Sequence, residues 1–242
     1  MAVNLTLVSS MSFFEMASDD DKAVVSSSSI LKACRGSELL SQSGQIQEAV
    51  GFVIHGRFQV KEIADDGRVV RLSILGAGDA IGWLSLIEDG FFTDEVTALE
   101  SGQLLLCPTR ILKPIVAGSQ PLLMSLLRLA ARNIRNHAKE RAMLTLPSAF
   151  QRICFQISAL AGQAAGADQD TPGGLPRQHE IATAANTTRE TVSRTLQILV
   201  KAGVIKKSGH RVIVRRKDLL LRLANDGLES LPNNHQDHLN TS

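Results

Sequence analysis

The stretch from His179 to Leu196 constrains the fold of this chain more than any other. Its pattern predicts a helix, a tight turn and a second helix. On the second helix Val192, Leu196 and Leu199 recur at spacings of four and three and so share an apolar face, while Arg189, Glu190, Ser193 and Arg194 project from a different one. Thr187 or Thr188 supplies the side-chain cap. Asn186 falls where the turn needs a positive φ, which Asn tolerates better than most residues. An isolated Arg-Glu pair on a helix is ordinarily a solvated surface pair. A polar face that begins immediately behind a turn, on a helix whose other face is apolar, is a different object.

That polar face has the chemistry to read base edges. A helix fits the major groove of B-DNA, where arginine bonds both acceptors of a guanine edge and a carboxylate accepts from the cytosine amino group. Arg189, Glu190, Ser193 and Arg194 are the candidate base-reading residues. Thr187 and Thr188 can reach phosphate oxygens. Beyond a stop at Gly203, Val204 to Lys207 and Arg211 to Arg215 are two short β-rich runs around Ser208-Gly209-His210, a wing whose Lys206, Lys207 and Arg211 would hold phosphate charge. Arg177, ahead of the first helix, stands where a Ser or Thr cap is expected and is a further backbone-contact candidate.

Charge is divided along the chain in the same sense. The net charge is +2, yet residues 148–222 hold 12 Lys and Arg against 5 Asp and Glu. The C-terminal third is therefore basic and the rest mildly acidic, as expected when double-stranded DNA is contacted at one end only. No run of about 18 apolar residues and no signal-peptide pattern occur, so a cytoplasmic protein with no membrane partner is expected. Cys34, Cys107 and Cys154 are far apart and odd in number, which indicates reduced buried thiols; spacing does not say whether any is redox-active.

From about Leu31 to Leu112, short apolar runs punctuated by glycine predict close-spaced strands, with Asp65-Asp66-Gly67-Arg68 as a hairpin turn, and hence a β-roll or jelly roll. A long helix follows from about Gln120 to Leu144. Its Leu123, Leu127, Ala130, Ile134, His137 and Arg141 alternate spacings of four and three, a coiled-coil seam whose simplest use is a homodimer. The flanking stripe Leu122, Leu126 and Leu129 can serve to pack the helix on its own roll. Pro147 ends the helix and marks a hinge. Together these predict an α+β chain: an effector-type β-roll domain over 11–119, a dimerisation helix over 120–146, a winged helix-turn-helix over 147–222 and a disordered tail over 223–242.

This order of parts resembles the family of transcription regulators named after the cyclic-AMP receptor protein and the fumarate-nitrate regulator, over about Met11 to Arg222. Arg189-Glu190-Thr191-Val192-Ser193-Arg194 is similar to the family's recognition-helix signature in every position. Gly76-Ala77-Gly78-Asp79-Ala80-Ile81-Gly82 is similar to the Gly-Asp-x-x-Gly turn of its effector domain, which is cyclic-nucleotide-binding-like. The resemblance implies a homodimer on a two-fold symmetric site, RNA polymerase as a further partner, and an effector pocket around Gly82, Trp83, Leu84 and Phe92.

The departures bear on the input. Nucleotide-binding relatives follow that turn with a ribose-binding glutamate and, later, a phosphate-binding arginine. Here the first position is Trp83 and the second falls near Phe92, beside Asp94 and Glu95, so cyclic AMP bound in the usual way is not expected. Cys34 alone cannot supply an iron–sulfur cluster. No cofactor is predicted. Haem or an apolar ligand, with His55 or His137 as axial ligand, stands as an alternative to Trp83 and Phe92 simply filling the pocket. Two other functions fit the residues less well. A cupin-like enzyme lacks ligands, since His55 is the only histidine between Leu31 and Leu112. An architectural DNA binder has no use for Glu190 beside phosphates.

Overall fold

The computed structural model describes residues 3–42, 45–46, 48–64, 69–88, 91–92, 94–163, 178–208 and 211–230. They divide into two compact units, Met1–Gly67 with Ile74–His137, and Arg68–Ser73 with Ala138–Ser242. The division falls inside the long helix, at His137/Ala138, rather than at the sequence-predicted hinge, Pro147. The predicted turn over Asp65 to Arg68 and the tail beyond Ser230 lie outside the described residues.

The first unit opens with α1 (Leu5–Ser10), capped by the Asn4 side chain, and α2 (Asp19–Ser28), capped by Ser18 with three aspartates in its first turn. Acidic side chains there complement the amide end of the helix. The strands are β1 (Ile30–Cys34), β2 (Leu39–Ser41), β3 (Gln45–Ile46), β4 (Ala49–His55), β5 (Phe58–Ile63), β6 (Val69–Leu75), β7 (Ala80–Ile81), β8 (Phe91–Phe92), β9 (Asp94–Ala98) and β10 (Gly102–Pro108). Within the first unit they form a four-stranded sheet ordered β1-β10-β4-β7, a second sheet in which β9 lies between β2 and β5, and a small β3-β8 pair. Helices α3 (Thr109–Gly118) and α4 (Gln120–Leu144) follow.

Period-two alternation on β10 shows how the layers are made. Leu104 and Leu106 turn toward Val53, Phe58, Val96 and Ala98, the interior of the roll. Leu105 and Cys107 turn the other way, toward Phe13, Phe14, Phe52 and the helices. An extra residue in β4 between the partners of Gln103 and Leu104 sets this facing. The stripe Leu122, Leu126 and Leu129 of α4 is buried in the same helix-side core, as its sequence pattern suggested. Val3 and Val8 are buried there too. The unit therefore begins before residue 11, because α1 covers apolar surface that the sheet would otherwise expose.

The second unit contains α5 (Ala149–Gln163), α6 (Gln178–Ala184), α7 (Arg189–Lys201), the hairpin β11 (Ile205–Ser208) and β12 (Arg211–Val214), and α8 (Lys217–Asp226), followed by a single 3-10 turn, Gly227–Ser230. Its core joins Ile153, Cys154 and Ile157 of α5 to Ile181, Val192, Leu196 and Leu199, and to Leu219, Leu220 and Leu223 of α8. Residues 223–230 are thus not a disordered tail. Leu219, Leu220, Leu223 and Ala224 are spaced to form one buried face on α8, and domain closure needs that face.

Burial pushes the Cys107 thiol up to about 11 and the Cys154 thiol to about 12. All three cysteines are buried, which disfavours the reactive thiolate. Among the described residues no single helix is long and apolar enough to cross a membrane.

Candidate nucleic-acid interface

The turn between α6 and α7 is closed by backbone geometry. Asn186 adopts φ 46°; its N–H donates to the Thr183 carbonyl at 3.1 Å, and the Thr187 N–H donates to the Ala182 carbonyl at 2.9 Å. These nested bonds form a Schellman motif with Asn186 in the left-handed position. Thr188 is the cap of α7, its hydroxyl accepting from the Thr191 N–H at 3.2 Å, while the Thr187 side chain is left half-buried. The far end of α7 repeats the device: Gly203 has φ 67°, and the Gly203 and Val204 N–H groups donate to Val200 and Leu199 at 3.0 and 2.9 Å.

Between those stops, Val192, Leu196 and Leu199 are buried, which turns the opposite face out. Arg189, Glu190 and Arg194 are exposed and Ser193 is half-buried. Glu190 and Arg194 form an ion pair one turn apart, their side chains 73% and 74% exposed. At that exposure the pair adds little stability and leaves both groups free to exchange partners. Gln197 is exposed on the same face, three residues beyond Arg194 and four beyond Ser193. Sequence reasoning passed over it, although its spacing was legible and a glutamine can bond an adenine edge.

The wing pairs Ile205 with Val214 and Ser208 with Arg211. Lys206 is exposed, and Lys207 and Arg211 stand on the paired strands. Arg177 lies outside the described residues.

A residue with no local sequence signal holds this assembly in register. Arg152 of α5 donates from Nε to the Ala185 carbonyl at 2.9 Å, from Nη2 to the Asn186 carbonyl at 3.2 Å and from Nη1 to the Leu146 carbonyl at 3.0 Å. One guanidinium fork satisfies carbonyls of the reading turn and of the chain leading into α5.

In the first unit, the Gly76 to Gly82 turn is organised by Asp79. One carboxylate oxygen accepts from the Gly76 N–H at 2.9 Å and the other pairs with Arg132 of α4 at 3.0 Å. Burial raises the Asp79 carboxyl above its usual range, with the Gly76 bond and Arg132 opposing. Gly82, at φ 72°, starts the 3-10 turn Trp83–Leu86. Trp83 is half-buried and packs against the helix-side core, whereas Leu84 is 45% exposed. Phe92 pairs with Gln45 in the small β3-β8 ladder. The four candidate pocket residues therefore stand in different settings. His55 and His137 are both exposed, and no group of three or more metal-binding side chains exists among the described residues.

A cyclic-nucleotide-binding-type roll followed by a capped reading helix and a wing defines a DNA-binding transcription regulator, and comparison with known proteins agrees. The model of the cyclic nucleotide-binding domain matches residues 31–118, and that of the Crp-like helix-turn-helix domain residues 151–223. The cyclic AMP receptor protein of Thermus thermophilus is 29% identical over 181 residues, 75% of this chain and 82% of that protein. The CRP-like cAMP-activated global transcriptional regulator of Mycobacterium tuberculosis is 28% identical over 187 residues, with the same shares. In fold, the chain is similar to FixK2 from Bradyrhizobium japonicum, with TM-score 0.65 at 21% identity over 81% of this chain and 96% of that one. The chain belongs to the CRP/FNR family of transcription regulators.

Proposed function

We propose that this regulator acts in the cytoplasm as a homodimer that reads a two-fold symmetric DNA site, one α7 per half-site, and that it works with RNA polymerase. Arg189, Glu190, Ser193 and Arg194 read bases; Thr187, Thr188, Lys206, Lys207, Arg211 and Arg177 hold the phosphate backbone. The observation that carries this reading is the exposed polar face of α7, fixed between two left-handed stops above a buried apolar face. Dimerisation through Leu123, Leu127, Ala130, Ile134, His137 and Arg141 is supported by exposure: Leu123, Leu127 and Ile134 are 42%, 54% and 69% exposed along a single stripe. Such a stripe is costly to leave in water.

Selection of binding sites from random DNA tests the reading role. Glu190→Ala should change base preference, and an unchanged preference would exclude Glu190 from readout. Lys206→Ala should weaken all sequences alike and lower the salt slope by about 1.

The input differs from the signal in the names of the relatives. Trp83, in the position of the ribose-binding glutamate, offers no carboxylate and packs into the core. Near the position of the phosphate-binding arginine, Glu95 is paired with Lys61 at 2.9 Å. The roll therefore does not take a cyclic mononucleotide in the usual way. Calorimetric titration with cyclic AMP should show no binding; a stoichiometric isotherm abolished by Trp83→Ala would refute this.

A further inference from the structure

A second feature of the first unit points to a ligand. A groove of about 430 Å³ runs along α4, floored by Phe13 and Phe52 and walled by Ser125, Arg128, Arg132 and Arg135. Its volume lies within the range of small-molecule sites. The Phe13 and Phe52 rings are 5.1 Å apart and offer an apolar base. The three arginines follow at spacings of four and three, so that consecutive guanidinium stems rise side by side on one helix face.

The polar groups of this groove are incompletely satisfied. Arg132 is paired with Asp79. Among the described residues Arg128 and Arg135, which flank it, make no hydrogen bond or ion pair, and neither does Ser125. Ser125 is 8% exposed, and its hydroxyl reaches solvent in the groove, where a ligand can meet it. Glu15 lines the same groove and repels an anion there, so the charged end of a ligand belongs against the arginines.

We propose that this groove binds a phosphomonoester with a flat apolar body: the phosphate between Arg128 and Arg135, the body on Phe13 and Phe52, and the Ser125 hydroxyl donating to the ligand. Two free guanidinium forks suit a phosphate dianion better than a singly charged carboxylate. The arginine stripe lies roughly 120° around α4 from the Leu127 and Ile134 seam, so occupancy of the groove and pairing through the seam do not compete. None of Gly82, Trp83, Leu84 and Phe92 lines the groove. Because Arg132 grips Asp79, and Asp79 organises the Gly76 to Gly82 turn, a phosphate in the groove competes for Arg132 and bears directly on that turn.

Calorimetric titration of the full chain with phenyl phosphate, inorganic phosphate and benzoate tests the assignment. Phenyl phosphate should bind once per chain, about tenfold more tightly than either control. Arg128→Gln with Arg135→Gln should weaken it by about tenfold or more, and Ser125→Ala by less, with thermal midpoints unchanged. Arg189→Gln with Arg194→Gln, which alters the other arginine-rich surface, should leave binding intact. Undetectable binding of phenyl phosphate, equal affinity for benzoate, full affinity in the Arg128/Arg135 variant, or loss in the Arg189/Arg194 variant would each overturn the proposal.

Discussion

The reading helix and the Gly76 to Gly82 turn use a common device toward different ends. Each begins a helical segment behind a residue of positive φ, Asn186 in one case and Gly82 in the other. After Asn186 the helix turns its polar side chains outward, over a buried apolar face. After Gly82 the first side chain, Trp83, packs back against the core. Similar backbone geometry thus carries exposed polar side chains in one place and a core-packed aromatic side chain in the other.

The largest effect is expected at the seam of α4. Leu127→Glu with Ile134→Glu should give a monomer in sedimentation and lower DNA affinity by about 100-fold or more, since the half-sites no longer bind as a linked pair. A surviving dimer would place the interface elsewhere. Next come two arginine anchors, one in each unit, of which Arg57 is buried and Arg152 half-buried. Arg57, 5% exposed, makes two 2.9 Å bonds to Glu100, and Glu100→Ala should cost about 3 kcal/mol in urea unfolding by removing two charge-assisted bonds from a buried guanidinium. Arg152→Met should cost about 2 kcal/mol through its orphaned carbonyls and, unlike Glu100→Ala, weaken DNA binding at full folding. Equal effects on DNA would remove the distinction between the anchors.

A smaller change separates the two turns. Asn186→Ile should cost about 1–2 kcal/mol, because a β-branched residue is strained at φ 46°, whereas Asn186→Gly should be close to neutral. The smallest expected signal is an absence of reaction. With the Cys107 and Cys154 thiols at about 11 and 12, thiolate at pH 8 is a trace in the folded protein, and a disulfide reagent should label neither until urea unfolds the chain. Rapid labelling of the native protein would mean that one of these sites opens.

What sequence reveals here follows from range. The polar face of α7, the left-handed Asn186, the wing and the Leu122, Leu126 and Leu129 stripe are local periodicities, and all were legible. The Arg152 fork reaches carbonyls 6, 33 and 34 positions away; no local pattern marks it, since a lone arginine on an amphipathic helix reads as solvated. The α8 face was legible in principle but stood next to a polar tail, which masked it. The direction of Trp83 was the hardest to foresee. A residue after a left-handed glycine can turn toward a pocket or toward the core, and only the surrounding packing decides.

The two stops on α7 also limit how such a reader can change over generations. With Asn186 and Gly203 fixing where the helix starts and ends, insertions or deletions between them would rotate every later side chain by about 100° per residue and misplace the second stop. New operator preferences are therefore accessible by exchanging side chains on a rod of constant length. The frame works like a type case, in which letters are swapped while the line keeps its measure.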